Sequence, residues 1–287
     1  MISVIIPTHN RAGFLSRAVD SIACQTMLPD ELVIVDDGSS DHTADVALQC
    51  RAKYDNRFLI RYIYQENAGA ASARNTGIMT SRSSILCFLD SDDWWEPTKL
   101  ERQFTAMREQ PSYMISHTRE IWYRQGKRVN QKKKHDPPHG NIFSKSLRMC
   151  MVGMSTVMLK KDCFDKFGLF DETFPCCEDY DLWLRMSCNI PFLLIKEQLI
   201  NKDGGRPDQL SVIHRMGMDV YRIRSVEKLM ASGCLTAEQQ VLAARELSRK
   251  CTIYGRGCMK HGRPEEGSSY LEKAQKYDTI EKFPGAG

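Results

Sequence analysis

The sequence predicts an α/β fold in which helices cover both faces of a mostly parallel sheet, followed by a helical C-terminal region. Three observations support this prediction. Short apolar runs alternate with helix-spaced segments over the first part of the chain, polar clusters follow three of these runs, and only helical spacing remains after Gly217. Strands that alternate with helices form βαβ units, whose right-handed crossovers make neighbouring strands parallel. We therefore predict an α/β domain over residues 1–214 and a helical appendage over residues 215–287.

Four apolar runs near the start of the chain have the length of buried strands. These predicted strands cover residues 2–6, 32–35, 58–64 and 84–89. Between and after them, apolar residues recur at helical spacing, which predicts four helices. The first and third helices cover residues 13–24 and 70–80, Ser40 or Asp41 caps the second, and the fourth follows Pro97.

The second half of the chain is less regular. Residues 113–116 and 120–123 are typical of extended chain, Gln125-Gly126 predicts a hairpin turn, and residues 127–139 predict a loop. Helices are predicted over 162–167 and 178–187, and a late strand over 191–195. After Gly217 we predict three helices, and the last two resemble one tetratricopeptide-like hairpin. A single hairpin of this kind cannot bury its own core, so we expect it to pack on the α/β domain.

Composition excludes several classes of protein. Of the 287 residues, 42% are hydrophobic and 26% are charged, which is typical of a globular chain rather than a disordered one. The net charge of +4 is too small to predict a nucleic-acid partner. No apolar run approaches the ~20 residues that cross a bilayer, and the first residues lack the basic segment of a signal peptide. We therefore expect a cytoplasmic location, with free thiols among the 11 cysteines.

Polar residues cluster where three of the predicted strands end. The clusters are residues 7–11, 36–39 and 90–93. In open α/β sheets, ligands bind beyond the carboxyl ends of the strands, so these clusters should meet at one edge. Helix capping remains an alternative role for residues 39–41. The carboxylates of Asp90, Asp92 and Asp93 repel one another and favour a bound cation, for which carboxylate oxygens suit Mg²⁺ or Mn²⁺.

Two other nucleotide-binding classes lack their motifs here. The sequence has no GxxxxGK[ST] segment, and no GxGxxG follows the first predicted strand. The missing motifs therefore argue against a P-loop enzyme and against a dinucleotide-dependent dehydrogenase.

Five segments together resemble the family 2 glycosyltransferases, inverting nucleotide-sugar-dependent enzymes of the GT-A fold. They occur in the order and spacing of that family and span about residues 1–210. The segments are SVIIPTHN at 3–10, VIVDDGSSD at 33–41, NAGAASARN at 67–75, FLDSDD at 88–93 and EDYDLWLR at 178–185. The resemblance implies a Rossmann-like GT-A domain and a metal-binding DxD motif at Asp90-Ser91-Asp92.

The resemblance also implies a role for each matching position. Asp179 would be the general base, and Asp92 with Asp90 would hold the metal. The nucleotide and its diphosphate would contact Pro7, Thr8, His9, Asn10, Arg11, Asp37, Gly69, Arg74, Asp90 and Ser91. The acceptor or phosphate side would include Glu178, Trp95, Arg206 and Asp208. Of the neighbouring tryptophans Trp94 and Trp95, one is expected in the core and one on a sugar face.

One segment departs from the family pattern. Many relatives carry Gly-Gly-His-x-Asp-Gln-Leu-Ser after the late strand, whereas this chain has GGRPDQLS at 204–211. Arg206 therefore stands where a histidine is expected, and a guanidinium cannot ligate a cation but pairs with phosphate. Either Asp208 or His214 replaces the histidine as a ligand, or the metal has fewer protein ligands.

The resemblance implies transfer of a sugar from a nucleotide diphosphate, a UDP-sugar by expectation, to a glycan or lipid-linked glycan during surface polysaccharide assembly. Two alternatives remain: a metal-dependent nucleotidyltransferase, and a GT-A-like scaffold that lacks activity. The basic residues at 127–134 are typical of a solvated loop, which is the favoured interpretation. The alternative interpretation is a contact with the inner face of an anionic membrane.

Overall fold

The alternating segments form a mixed sheet in the computed structural model, which describes residues 1–214 and 217–282. The strands are β1 (Ile2–Thr8), β2 (Glu31–Asp37), β3 (Leu59–Gln65), β4 (Ile85–Phe88), β5 (Trp94–Trp95), β6 (Ile115–Arg124), β7 (Lys127–Val129), β8 (Met158–Lys160) and β9 (Leu193–Gly204). The helices are α1 (Ala12–Ala23), α2 (Thr43–Tyr54), α3 (Ala70–Thr80), α4 (Lys99–Glu109), α5 (Phe143–Arg148), α6 (Asp162–Phe167), α7 (Glu178–Ser187), α8 (Leu210–Ile213), α9 (Met218–Ala231), α10 (Ala237–Lys260) and α11 (Pro264–Lys282).

The sheet has a parallel part and a mixed part. Its strand order is β3-β2-β1-β4-β8-β6-β9-β5, with β7 paired to β6. Strands β1 to β4 run parallel, as the βαβ pattern predicts. Strand β8 is antiparallel to both β4 and β6, while β6 and β9 are parallel. The carboxyl ends of β1, β2 and β4 therefore lie side by side at one edge, which confirms that the three polar clusters converge.

The structure corrects several predicted elements in the less regular half. The two extended segments predicted at 113–116 and 120–123 fall in one strand, β6 (Ile115–Arg124), and the late strand continues to Gly204 because it pairs with β6. Strands β5 and β8 were missed, since two or three residues are too few for a periodic signal. The segment 127–139 is not only a loop: it contains β7 and a short 3₁₀ turn.

Two turn predictions have different outcomes. Gln125 and Gly126 both have positive φ, 51° and 72°, and join β6 to β7 as the sequence predicts. The predicted cap of α2 is wrong, because the N-cap residue is His42 and its side chain makes no capping bond. Asp41 instead accepts a hydrogen bond from the backbone N–H of Thr43 at 2.9 Å, inside the first turn.

Apolar side chains fill both faces of the sheet. Successive residues of β1 point to opposite faces, so Ile6 packs in one core and Ile5 in the other. Helix α3 lies so close against β1 that a Cβ at Gly77 would collide with the Ile5 side chain. This close packing fixes the position of the α3 N-terminus, which faces the edge where β1 and β2 end.

The C-terminal helices pack on the α/β part through a third apolar cluster. Tyr180 and Leu184 of α7 meet Ile223 of α9 and Leu247 of α10 in it. Helices α10 and α11 approach closely at Gly255, where a Cβ would lie 2.8 Å from the Gly267 carbonyl oxygen. The predicted packing of this hairpin on the α/β part is confirmed. Within the described residues, no helix is sufficiently long and apolar to cross a membrane.

Candidate active site

A cleft of about 760 Å³ opens where β1, β2 and β4 end. It also borders the N-terminus of α7 and one side of α9. Most residues that the sequence predicted for the site line it. These are Pro7, Thr8, His9, Asn10, Arg11, Asp37, Gly69, Arg74, Asp90, Ser91, Asp92, Glu178, Asp179 and Asp208. Segments up to about 200 residues apart in the chain therefore share one cleft, at the edge where the parallel strands end.

One end of the cleft is a network of short polar side chains. His9 Nδ1 is 2.7 Å from the Asp37 carbonyl oxygen, and Asn67 Nδ2 donates to the same oxygen at 2.9 Å. Asn10, with a left-handed φ of 51°, accepts the backbone N–H of Ser40 at 2.8 Å. Asparagine tolerates this backbone region better than most residues. These bonds hold the end of β1 against the turn that follows β2.

The two carboxylates at the end of β2 both have structural partners. Asp36 is fully buried and accepts hydrogen bonds from the Tyr62 hydroxyl at 2.7 Å and the Ser39 N–H at 2.9 Å. Asp37 accepts from the backbone N–H groups of Ala68 and Gly69 at 2.9 and 2.8 Å. Asp37 thus anchors the loop that leads into α3, and its role toward a nucleotide base stays a prediction.

Arg74 on α3 links two distant motifs. Its guanidinium donates to Asp90 at 2.9 Å and to Glu178 at 2.5 Å. Burial alone would lower the pKa of Arg74, but the charges of Asp90 and Glu178 outweigh burial and raise that pKa above its ordinary value. Burial has the opposite effect on a carboxyl group: it raises the pKa of Glu178, and the positive charge of Arg74 opposes that rise. The cation thereby joins β4 to the α7 N-terminus across the floor of the cleft.

The segment after β4 carries the three clustered carboxylates, and each has a different partner. Asp92 is paired with the Arg206 guanidinium and accepts from Gln209 Nε2 at 3.2 Å. Asp93 is 1% exposed and accepts from the Ser155 hydroxyl at 2.6 Å. Burial raises the pKa of Asp93 well above its ordinary value. The mutual repulsion that the sequence predicts is thus relieved in two ways. Arg74 and Arg206 offset the charges of Asp90 and Asp92, and the raised pKa of Asp93 favours its neutral form.

Asp179 lies in the first turn of α7, where the helix dipole favours a negative charge. One carboxylate oxygen accepts from the backbone N–H of Tyr180 at 2.6 Å, and the other accepts from the Cys150 thiol at 3.3 Å. Cys177 precedes the helix with a left-handed φ of 65°. These contacts hold the carboxylate of Asp179 at the cleft surface, half-buried and available to a ligand.

Two predicted residues do not line the cleft. Trp95 is the tryptophan of the pair that lies in the core, so its placement on the acceptor side is wrong: it is 3% exposed, its indole N–H donates to the Ser155 carbonyl at 2.9 Å, and Lys99 covers its ring. Trp94 is half-buried beneath Arg17, 4.0 Å from the ring centre. Arg206 lies outside the lining but touches the cleft through Asp92, and its guanidinium covers the Phe14 ring at 4.5 Å.

The two candidate replacements for the family histidine occupy different places. Asp208 lines the cleft and pairs with Arg11 at 2.5 Å. His214 does not line it and packs edge-on against Tyr221. Among the described residues, no group of three His, Cys, Asp or Glu side chains is arranged to hold a metal ion.

Sequence reasoning missed several lining residues. They include Cys150, Lys202, Gln209, Met218 and Arg222. Arg222 belongs to α9, whose sequence reads as an ordinary amphipathic helix and carries no motif. Only the packing of α9 on α7 brings it to the cleft.

Comparisons with known proteins agree with this architecture. A 195-residue segment is 30% identical to an uncharacterized glycosyltransferase of Rickettsia prowazekii, covering 64% of this chain and 58% of the relative. Another, of 190 residues, is 32% identical to the Escherichia coli UDP-Glc:alpha-D-GlcNAc-diphosphoundecaprenol beta-1,3-glucosyltransferase WfgD, covering 65% of this chain and 69% of WfgD. The chain therefore spans little more than half the length of the Rickettsia relative.

Solved structures share the fold at low sequence identity. Staphylococcus aureus TarS in complex with UDP-GlcNAc has a TM-score of 0.64 and 18% identity, with 98% of this chain and 90% of TarS covered. The Pyrobaculum calidifontis mannosyltransferase PcManGT, in complex with GDP-Man and Mn²⁺, has a TM-score of 0.63 and 14% identity, with 99% and 87% covered. The glycosyl transferase family 2 model matches residues 3–167. The fold, the strand-end motifs and this match together establish that the chain belongs to the family 2 glycosyltransferases.

Proposed function

We propose that this chain is an inverting glycosyltransferase that moves one sugar from a UDP-sugar to a hydroxyl of a glycan or lipid-linked glycan. The observation that carries the proposal is the single cleft shared by the β1 and β2 ends, the Asp90-Ser91-Asp92 motif and Asp179. We assign this activity to residues 1–214. A UDP donor is supported by the printed activity of WfgD and by the UDP-GlcNAc complex of TarS.

The donor diphosphate is assigned to the part of the cleft between Arg74 and Arg11. Both cations line the cleft, and Gly69 begins α3 with its N-terminus toward the same space. Helix N-termini and guanidinium groups are the usual partners of phosphate oxygens. His9 and Asn10 then border the nucleoside, as the family resemblance implies.

The carboxylates of the DxD motif fit a divalent metal. Asp90 and Asp92 both line the cleft, and each uses one oxygen for its arginine, so a second oxygen remains for a hard cation. Mg²⁺ and Mn²⁺ sites in such enzymes commonly use one or two carboxylates and complete their shell with substrate phosphates. When bound, the ion would neutralise negative charge on the departing diphosphate.

Asp179 supplies the base in this proposal. An acceptor hydroxyl gives its proton to the Asp179 carboxylate as its oxygen bonds to the anomeric carbon. The bond between that carbon and the diphosphate oxygen breaks, and the nucleoside diphosphate leaves. Attack from the face opposite the leaving group inverts the anomeric centre. Arg74 remains beside the diphosphate, and its bond to Glu178 keeps the α7 N-terminus and Asp179 in register with the donor.

The proposed setting is polysaccharide assembly at the cytoplasmic face of a membrane. The names of relatives support it, since one is a putative teichuronic acid biosynthesis glycosyltransferase of Bacillus subtilis, 35% identical over 162 residues. The β6–β7 hairpin exposes Lys127 and Arg128, and Lys132 to Lys134 follow them. Each such cation adds about 1 kcal/mol of attraction near an anionic surface. We therefore assign membrane contact to this segment.

Calorimetric titration with UDP, GDP, dTDP and CMP, each with and without Mn²⁺, tests the donor assignment. We expect micromolar binding of UDP that weakens without metal and in Asp92→Ala. Binding of another nucleotide would replace the UDP assignment, and equal binding without metal would remove the metal. Absence of binding by all four nucleotides would overturn the proposed activity.

A further inference from the structure

Helix α9 places a cation in the same cleft as the proposed base. Arg222 lines the cleft together with Asp179, Cys150 and Cys177. Its side chain is 26% exposed, so it is largely enclosed yet still reaches the open space. Nothing in the donor assignment uses it, because the diphosphate contacts come from the β1, α3 and β4 side.

The bonding of Arg222 differs from that of the other arginines in the cleft lining. Arg74 and Arg11 each have a carboxylate oxygen within 2.5 Å of a guanidinium nitrogen. Among the residues that the structure describes, the ion pair of Arg222 is with Asp219, at 3.4 Å, and that carboxylate is itself 46% exposed. Its Nε–H, like that of Arg74, is buried and has no hydrogen-bond partner among the described residues. Of the three arginines that line the cleft, Arg222 therefore has the weakest pairing with a carboxylate, which leaves its charge available to a ligand.

The groups around Arg222 do not neutralise it. Besides Asp219, the titratable side chains that act most strongly on the pKa of Arg222 are Cys177, Cys150 and Tyr180. Burial raises the pKa of each of these groups, so the thiols and the phenol are neutral at physiological pH. Arg222 therefore gives this part of the cleft a positive charge that the surrounding side chains leave largely uncompensated.

We propose that Arg222 binds a phosphate group of the acceptor and thereby selects phosphorylated acceptors. This inference rests on the proposed glycosyltransferase function. A guanidinium presents paired N–H donors that match phosphate oxygens, and a partly enclosed site strengthens that bond. Cys150 bridges the two sites, since it donates to Asp179 and lies among the neighbours of Arg222. The acceptor therefore carries its phosphate close to the hydroxyl that Asp179 deprotonates.

The test compares two probes on protein saturated with its nucleotide. One probe is a short-chain alkyl diphosphate-linked N-acetylglucosamine, and the other is the neutral alkyl glycoside of the same sugar. We expect the wild type to bind the diphosphate probe at least about tenfold more tightly in calorimetry, since 1.4 kcal/mol corresponds to tenfold. Arg222→Gln should abolish that preference without changing the affinity for the neutral probe, and Arg222→Lys should restore part of it.

Arg224 supplies a matched control on the same helix. It is exposed, donates to the Thr173 carbonyl at 3.2 Å and covers the Phe174 ring at 4.4 Å, outside the cleft lining. Arg224→Gln removes the same charge two residues away and should keep the wild-type preference. Thermal melts of both variants verify that they are folded. Loss of the preference in both variants would assign it to general charge rather than to Arg222.

Several results would overturn the inference. A wild type that binds both probes equally, binds neither, or keeps its preference in Arg222→Gln would each do so. N-acetylglucosamine 1-phosphate serves as a third probe that distinguishes a phosphate from a lipid headgroup. If it is preferred over the neutral glycoside as strongly as the diphosphate probe is, the phosphate alone is recognised. Repeating the titrations without nucleotide separates the two claims, because the proposed function fails on nucleotide binding and transfer, whereas this inference fails on probe preference.

Discussion

The two sides of the cleft balance their charges differently. The donor side, formed by residues 7–11, 90–93 and Arg74, pairs each of Arg11, Asp90 and Asp92 with an opposite charge. The acceptor side, formed by Cys150, Cys177, Asp179 and Arg222, contains neutral thiols and a weakly paired cation. A paired network holds its geometry before a ligand arrives, whereas an unpaired cation is free to bind one. Under the proposed function, the donor side would position its ligand and the acceptor side would discriminate by charge.

Removal of the proposed base should have the largest effect on transfer. Asp179→Asn keeps the shape of the side chain and its bond from the Tyr180 N–H, but an amide cannot take the acceptor proton. We expect the transfer rate to fall about 10²- to 10⁴-fold, as is usual for a lost general base. Initial-rate measurements check this, and unchanged nucleotide affinity verifies that the donor side is intact. A transfer rate within about threefold of the wild-type rate would exclude Asp179 as the base.

The next prediction breaks the charge pairing of the donor side. Arg74→Met leaves Asp90 and the buried Glu178 without their cation. Loss of one partner from a buried pair costs about 3–5 kcal/mol, which we expect as the decrease in the free energy of unfolding. Denaturant titration measures it. Adding Glu178→Gln in the same chain should recover part of that loss; an undiminished loss in the double variant would show that the pair is not the cause.

A second carboxylate on the acceptor side, placed to pair with Arg222, should make it resemble the donor side. Cys177 has a left-handed φ at the N-cap of α7, where Asp and Asn are both well tolerated. Cys177→Asp places a negative charge near Arg222, and Cys177→Asn is its neutral match. We expect the Asp variant to weaken binding of the diphosphate probe about tenfold relative to the Asn variant. Equal affinities in calorimetry would contradict the description of the acceptor side as electropositive.

The smallest effect concerns the metal. Arg206→His replaces a guanidinium that pairs with Asp92 by an imidazole, which is a common metal ligand. We expect Mn²⁺ to tighten nucleotide binding by about threefold more in the variant than in the wild type. Titrations with and without Mn²⁺ measure the difference. Arg206→Gln, which removes the charge but supplies no imidazole, is the control, and an equal gain in it would assign the effect to the lost ion pair.

Most of the parallel half and the donor side of the cleft were predictable from the sequence. Strands β1, β2 and β4 are buried on both faces, so each appears as an apolar run, and each ends in polar residues that the parallel arrangement brings together. The short strands β5 and β8 and the full length of β9 were not predictable, because no local pattern specifies them. They are set by pairing with the distant strands β4, β6 and β9. The burial of Trp95 was unpredictable for the same reason, because its indole N–H bonds to Ser155, 60 positions away in the chain.

The sequence by itself determined the α/β class, the motif residues at the strand ends and the Arg206 departure, since these depend on local pattern and residue type. Tertiary structure alone decided which charges pair with which. Arg74 and Glu178 are 104 positions apart, and Arg206 and Asp92 are 114 apart, so no local spacing predicts either pair. The same holds for Arg222, whose place in the cleft that Asp179 also lines results from the packing of α9 on α7. Charge pairing in this cleft is set by contacts between distant segments, and side-chain chemistry alone does not specify them.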